Sequence, residues 1–502
     1  MKLIFDFGNI RRVLLFRKRE KKATMAMDDT LDTPTQSFSI PKVNILTMFR
    51  LGLFQMGLSM MSILTLGVLN RVMIQEIAIP ATIGSLVLAI PYFIAPTRIL
   101  FGQMSDAKPF LGYHRTAYVW GGAGIFAIAA FLAVQVMWQL SAANIGDKWT
   151  WTTQTIGWTA VLGFVFAIYG LAICASGTAF AALLVDISEE DNRSQVVGIV
   201  WSMLMVGIIV GAIISSSLLK QLDANAPLET LQAAINRLFI IVPSIVFSLA
   251  IVATVGVENK YSRFLNRGNK GNREDGITLK GAWKILTASP QTGLFFAFLL
   301  VMTISLFMQD PILEPYAGQV FKMPLAESTK LNVFYGTGIL ISYGITGFFI
   351  VPRLGKKKTI KLGCILVAVA ALLIGFSGFS ANPSLLKSTL VLFGLSTGFV
   401  TTAAVTLMLD LTIAEAAGTF IGAWGLAQSL SRGIATVIGG TVLDLGRKFL
   451  PDNLVLAYGM VFLLEAVGML ISIWFLNRVN VTEFQTNTKQ VLASVLESDL
   501  DN

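Results

Sequence analysis

The chain has 502 residues, 54% of them hydrophobic and only 13% charged, with a mean hydropathy of +0.70. That profile excludes a soluble globular domain and places the protein in a lipid bilayer. The net charge of +9 does not point to nucleic acid, because Lys and Arg concentrate in the tails and in alternate loops; Cys174 and Cys364 fall in different apolar runs and offer neither a disulfide framework nor metal-ligand spacing.

Residues 1–44 form a basic tail that does not read as a cleavable signal, since Asp6, Asn9, Arg11 and Arg12 interrupt its apolar residues. Phe7, Ile10 and Leu14 recur at helical spacing among Arg11, Arg12, Arg17, Lys18 and Arg19. Either a short interfacial helix on an anionic leaflet or a disordered orienting tail fits this pattern. Twelve apolar runs of membrane-spanning length follow. They are Ile45–Leu69, Ala81–Phe101, Thr116–Val136, Ile156–Leu184, Val196–Leu218, Leu238–Val257, Gly293–Leu313, Leu331–Val351, Thr359–Phe379, Thr389–Leu409, Thr419–Val442 and Leu454–Leu476. A basic linker, residues 258–290, separates a six-span half at 45–257 from a second at 291–478, and residues 479–502 form a tail. The bias of Lys and Arg places both termini in the cytoplasm.

The seventh run ends in Phe307-Met308-Gln309-Asp310-Pro311-Ile312-Leu313-Glu314-Pro315-Tyr316, which packing in lipid does not require. Pro311 and Pro315 lack N–H groups, so the carbonyls of Phe307 and Pro311 lose their helical partners. Free carbonyls and carboxylates at membrane depth persist only where protein or water covers them. The stretch is therefore a candidate ligand, gate or partner site, or else a helix end that kinks at the interface. Asn70 and Arg71 close span one on the same side, and Arg71 is expected within direct or water-bridged reach of Asp310 or Glu314. Arg432 in span eleven and Glu465 in span twelve lie at similar depth. Unpaired, each costs at least a few kcal/mol, so the two are expected to neutralise each other, with Glu465 facing outward as the alternative.

The halves are related. Gly170, Leu171, Thr178, Leu183, Asp186, Asp191 and Gly198 match Gly394, Leu395, Thr402, Leu407, Asp410, Glu415 and Gly422 at one common offset. A parallel repeat of six-helix halves resembles the major facilitator superfamily. So does the loop after span two, Gly102-Gln103-Met104-Ser105-Asp106-Ala107-Lys108 followed by Gly112-Tyr113-His114-Arg115. In that resemblance Gly102 allows close helix approach, while Asp106 meets an Arg or a helix N-terminus and locks the cytoplasmic side. Asp186 with Arg193 repeats an acid/base pairing after span four, and Asp410 and Glu415 are the counterparts of Asp186 and Asp191 after span ten. The loop after span eight, Pro352 to Lys358, keeps the Gly and the basic residues but lacks the Asp.

Three further stretches carry a narrower resemblance: Leu69-Asn70-Arg71-Val72-Met73-Ile74, Gln309–Tyr316 with Val320-Phe321, and Asp410-Leu411-Thr412 with Ala414–Gly418 and Ile421–Gln428. Together they resemble the bacteriochlorophyll-delivery (PucC/LhaA-type) branch of the major facilitator superfamily, over roughly residues 43–479. The resemblance implies an all-α integral membrane protein of twelve helices in a plasma, thylakoid or other photosynthetic membrane. It implies a role in assembling light-harvesting complexes, with chlorophyll or bacteriochlorophyll as cargo and antenna subunits as partners, by pigment delivery or by chaperoning. A chlorophyll-type magnesium wants one axial N or O donor. The lone histidine, His114, sits in a loop, which leaves Gln309, Glu314, Glu465, the Phe307 carbonyl or water. A gradient-coupled carrier of a small amphipathic solute remains the second reading, since fold does not decide function. No nucleotide loop, metal cluster or nucleophilic constellation is present in the sequence, which argues against an enzyme.

Overall fold

The computed structural model describes residues 43–144, 149–188, 190–220, 227–262, 289–411, 417–480, 482–484 and 486–487, the side chains of 190–194, 348, 409–410 and 417–422 excepted. The proposed basic tail helix, most of the linker, and the side chains of Arg193, Asp410 and Glu415 lie outside the described residues. Among the described residues, ten helices are long and apolar enough to cross a membrane. Spans eight and eleven complete twelve. Span eight, Leu331–Ile345, runs on through a π-helical turn at Thr346–Ile350. Span eleven is one helix, Ala417–Phe449, made less apolar by Arg432 and Asp444.

Local sequence explains most ends. Thr152 and Thr155 form a reciprocal capping box at the start of span four. Asn44 and Asn453 cap spans one and twelve through their side chains. Span seven runs Pro290–Phe307, with Pro290 at a position where its missing N–H costs nothing. It stops as the two prolines require, and a shorter helix, Leu313–Phe321, resumes after the break.

The buried side chains fall into two clusters. One draws on residues 43–261 and the other on residues 295–484, apart from a few that cross over. Leu325 joins the first, while Ile74, Ala81 and Met205 join the second. These crossing residues mark where the halves interlock. Span two packs against span eleven, and span five against span eight. The bundle has a terminal face, which carries residues 43–45 and 478–484, and a far face, where span one ends at Glu76 and span twelve begins at Leu454.

Candidate functional site

The break in span seven is a clasp on the far face. The Phe307 carbonyl, freed by Pro311, accepts the Asp310 N–H at 3.2 Å, and the Gln309 carbonyl accepts from Ile312 and Leu313, both at 3.0 Å. The Pro311 carbonyl, freed by Pro315, accepts from the Asn70 side chain across the two halves. Span one is prepared for this contact. Its backbone widens into π-helical turns at Ile63–Leu69 and Val72–Glu76, on either side of Asn70 and Arg71, a distortion common at functional positions. Gly439 of span eleven lets the Met308 carbonyl come against its backbone, where any side chain would collide.

Arg71 is 2% exposed and forms no direct ion pair with Asp310 or Glu314 among the described residues. Its guanidinium donates to the Met323 carbonyl at 2.7 Å, to the Pro324 carbonyl at 3.3 Å and to the Ser328 hydroxyl. Glu314 still senses that charge, but its oxygens accept from Asn332 at 2.8 Å and Thr329 at 3.3 Å. It lies against Gly67, where a Cβ would collide with it. Tyr316, fully buried, donates toward the Ile374 and Gly375 carbonyls at 3.0 and 3.1 Å. Glu314 and Tyr316 thus bolt the resumed helix to spans eight and nine. A second clasp joins the halves beside it. Asp444 of span eleven accepts from the Ala81 N–H at 3.1 Å, the Thr82 N–H at 2.8 Å and the Thr82 hydroxyl at 2.8 Å. A carboxylate at these orphan N–H groups of span two satisfies them and complements the helix dipole.

Arg432 and Glu465 do not pair. The Arg432 guanidinium carbon lies 3.8 Å from the centre of the Phe307 ring, and its charge acts on Asp310 in the broken segment. Tyr92 of span two and Tyr335 and Tyr343 of span eight also feel that charge. Arg432 is nonetheless exposed although these neighbours come from both halves, so open space lies between the halves at this depth. Glu465 is 0% exposed, and neither of its oxygens has a hydrogen-bond partner among the described residues. It faces neither Arg432 nor lipid. It is packed where span twelve meets span seven, with Ser305 against Gly468 one turn on. The rise per residue gives the depth of a charge along its helix but carries no information on the rotation of the helix about its axis. The guanidinium stacks on an aromatic face within electrostatic reach of a carboxylate, an arrangement Arg accepts readily.

On the terminal face Arg115 gathers the charges. It pairs with Asp106 at 2.5 Å and Asp186 at 2.9 Å and donates to the Ser105 hydroxyl at 2.6 Å. Burial opposes its charge, but the hydrogen bonds and charges of Asp186 and then Asp106 outweigh it and hold the guanidinium pKa above its ordinary value. Asp186 therefore serves Arg115 in the first half. Gly102 is not forced by close approach, since a Cβ there would make an ordinary 3.6 Å contact with Thr178. Glu258, at the end of span six, accepts from the backbone N–H groups of His114, Arg115 and Thr116 at 2.7–3.2 Å. The chain leading into the linker is thereby fixed to the start of span three. His114 itself turns its ring toward the Ser105 carbonyl at 3.3 Å.

A profile of the PUCC protein family matches residues 68–484, most of the chain and nearly all of the helical body. The chain belongs to that family. Protein PucC of Rhodobacter capsulatus is 28% identical over 454 residues, 88% of this chain and 94% of that one. A protein of the same species named bacteriochlorophyll synthase 44.5 kDa chain is 29% identical over 440 residues, 85% of this chain and 94% of that one. The fold is also that of a solved D-xylose-proton symporter, with a TM-score of 0.62 at 12% identity, covering 86% of this chain and 97% of the symporter. The PUCC-family protein is accordingly an all-α, multi-pass membrane protein with major-facilitator architecture, as its internal repeat implies.

Sequence reasoning missed several of its interacting residues. Asp444 and Glu258 cap helices 363 and about 142–144 positions away, a separation that local capping patterns do not register. Tyr92, Tyr335 and Tyr343 sit in apolar runs where an aromatic is unremarkable. Their common relation to Arg432 exists only after the halves pack. Of the oxygen donors considered for a magnesium ion, Gln309, Glu314 and Glu465 are 1%, 2% and 0% exposed and packed away. Asp310 is instead half-buried, with one oxygen accepting from the Gln309 amide at 3.1 Å.

Proposed function

We propose that this protein is a membrane assembly factor for light-harvesting complexes, which holds a chlorophyll-type pigment or an antenna segment between its two halves. One observation carries this reading beyond family membership: Arg432, exposed between the halves, stacks on the Phe307 ring within electrostatic reach of Asp310, in a membrane protein whose relatives include one named for bacteriochlorophyll. A flat macrocycle suits the ring faces of Phe307 and the tyrosines. The ring magnesium of such a cargo accepts an axial oxygen, which the Asp310 carboxylate or a tyrosine hydroxyl would supply.

The carrier fold and the absence of a reactive constellation in the sequence favour a non-enzymatic role, whatever the name of one relative. In this reading residues 45–257 and 291–478 are the two moving bodies. The tails and residues 258–290 lie in the cytoplasm. Asn70, Arg71, Gln309 and Glu314 belong to the gate on the far face, and Gly102, Asp106, Arg115, Asp186, Arg193, Asp410 and Glu415 to the cytoplasmic one. Asp310 and Arg432 touch the cargo.

The test is to replace the native protein in its phototrophic host by Asp310→Asn and by Arg432→Gln. Antenna absorption per amount of accumulated protein should fall about fivefold or more, equivalent to about 1 kcal/mol of lost cargo interaction. Gently purified wild type should carry pigment bands or an antenna subunit. A colourless protein that accumulates a small solute against a gradient would replace this reading with that of a secondary transporter, which the symporter-like fold also accommodates.

A further inference from the structure

A cavity of about 810 Å³ opens at the far face, outside the clasp and separate from the Arg432 space. Its volume lies in the range of pockets that hold drug-sized ligands, and it exceeds what one small ion needs. Three cations line it: Arg71 from span one, Lys322 at the end of the helix after the break, and Arg447 near the end of span eleven. No carboxylate is among its lining residues. The nearby acids are occupied or set aside. Asp444 caps span two and pairs with Arg447 only at 3.7 Å, while Arg447 also donates to Gln319 at 2.7 Å and Tyr458 at 3.1 Å. Glu314 serves Asn332 and Thr329, and Glu76 senses Arg71 without lining the space.

Two buried polar atoms at this cavity lack hydrogen-bond partners among the described residues. One is Nε of Arg71, whose side chain is 2% exposed, and the other is Oε1 of Gln75. A buried N–H of a cation wants an anionic acceptor, and a buried amide oxygen wants a donor. A phosphate diester that carries hydroxyl groups supplies both.

The position matters as much as the charge. The lining residues sit at the far-face ends of the helices, where span one stops at Glu76 and span twelve starts at Leu454. Where an apolar run gives way to polar chain, a bilayer gives way to its headgroups. The lining also includes apolar Ile79 and Leu454, and Leu454 at the first turn of span twelve is 38% exposed on the outer side of the bundle. The cavity therefore offers three cations beside apolar residues, of which Leu454 is exposed.

We propose that this cavity binds the anionic headgroup of a membrane phospholipid, with the phosphate at Arg71, Lys322 and Arg447 and a headgroup hydroxyl at Gln75. A lipid bound here bridges both halves at the far face and biases the clasp toward its closed form.

The test uses the full-length protein in nanodiscs of equal phosphatidylglycerol and phosphatidylcholine, with native mass spectrometry of the lipid that survives extraction. Phosphatidylglycerol should be retained about fivefold or more over phosphatidylcholine. Lys322→Asn should lower that ratio about fivefold, the worth of one cation near an anionic headgroup. Lys322 is exposed, has a left-handed φ of 56° and makes no side-chain hydrogen bond or ion pair among the described residues, and Asn tolerates that backbone. Adding Arg447→Gln should remove the remaining preference. Equal retention of the two lipids, or an unchanged ratio in Lys322→Asn, overturns the proposal. Displacement of the lipid by inorganic phosphate at comparable affinity overturns it too, and identifies the site as one for a free anion.

Discussion

Asp444→Ala should open the far face. The carboxylate accepts from two backbone N–H groups and one hydroxyl at the start of span two, at 2.8–3.1 Å. Its loss removes a charged cap and leaves orphan donors at a helix N-terminus, which costs up to about 2 kcal/mol where water replaces the bonds only in part. Because the donors and the acceptor belong to different halves, most of that cost falls on the closed form rather than on the fold. A shift of about 2 kcal/mol changes the closed-to-open ratio by roughly 30-fold. Nitroxide labels at Gln154→Cys and Ser384→Cys report it, since both positions are exposed at the far face on opposite halves. Cys174 and Cys364 are buried and leave the labelling clean. Double electron–electron resonance should show a longer distance gaining population in Asp444→Ala and to about half the extent in energy in Asp444→Asn, which keeps one acceptor oxygen. Asp452→Ala, an exposed change in the turn after span eleven, is the control. An unchanged distance distribution in Asp444→Ala, or an equal change in the control, refutes the reasoning.

Glu465→Gln and Arg432→Gln should combine additively, within about 0.5 kcal/mol in thermal or denaturant stability, because the two side chains do not meet; rescue of one by the other would restore the pairing inferred from depth alone. Gly440→Ala places a methyl group against the Ala81 carbonyl and Ser85 and should destabilise the packing of span two on span eleven by about 1–3 kcal/mol, seen as a lower melting temperature. Arg115→Gln leaves the buried Asp186 without its guanidinium and should cost about 3–5 kcal/mol, measured as reduced accumulation in the membrane; accumulation equal to wild type would show that the terminal-face cluster is dispensable. Of the three polar residues in the span-seven break, Glu314→Ala should lower accumulation because it strands Asn332 and Thr329, whereas Asp310→Asn should leave accumulation near wild type.

Hydropathy and charge in the sequence determined the twelve spans, their division into two related halves and the break after Phe307. Each of these depends on local facts: about 20 apolar residues satisfy a bilayer, and a proline removes one hydrogen bond wherever it stands. The loop after span two was legible for the same reason, since Asp106 and Arg115 are only nine positions apart and meet at 2.5 Å. The partners of the remaining polar groups were settled only by tertiary structure. Asn70 finds the Pro311 carbonyl 241 positions away, and Asp444 finds span two at a separation of 363. Arg432 turns to Phe307 and Asp310 while Glu465, at a similar depth, is sealed against span seven. In a helix that is apolar on nearly every side, no amphipathic stripe records which face points inward. The rotation of each helix, and with it the neighbour of every buried charge, follows from how side chains and close-packed glycines fit between helices once the halves have come together.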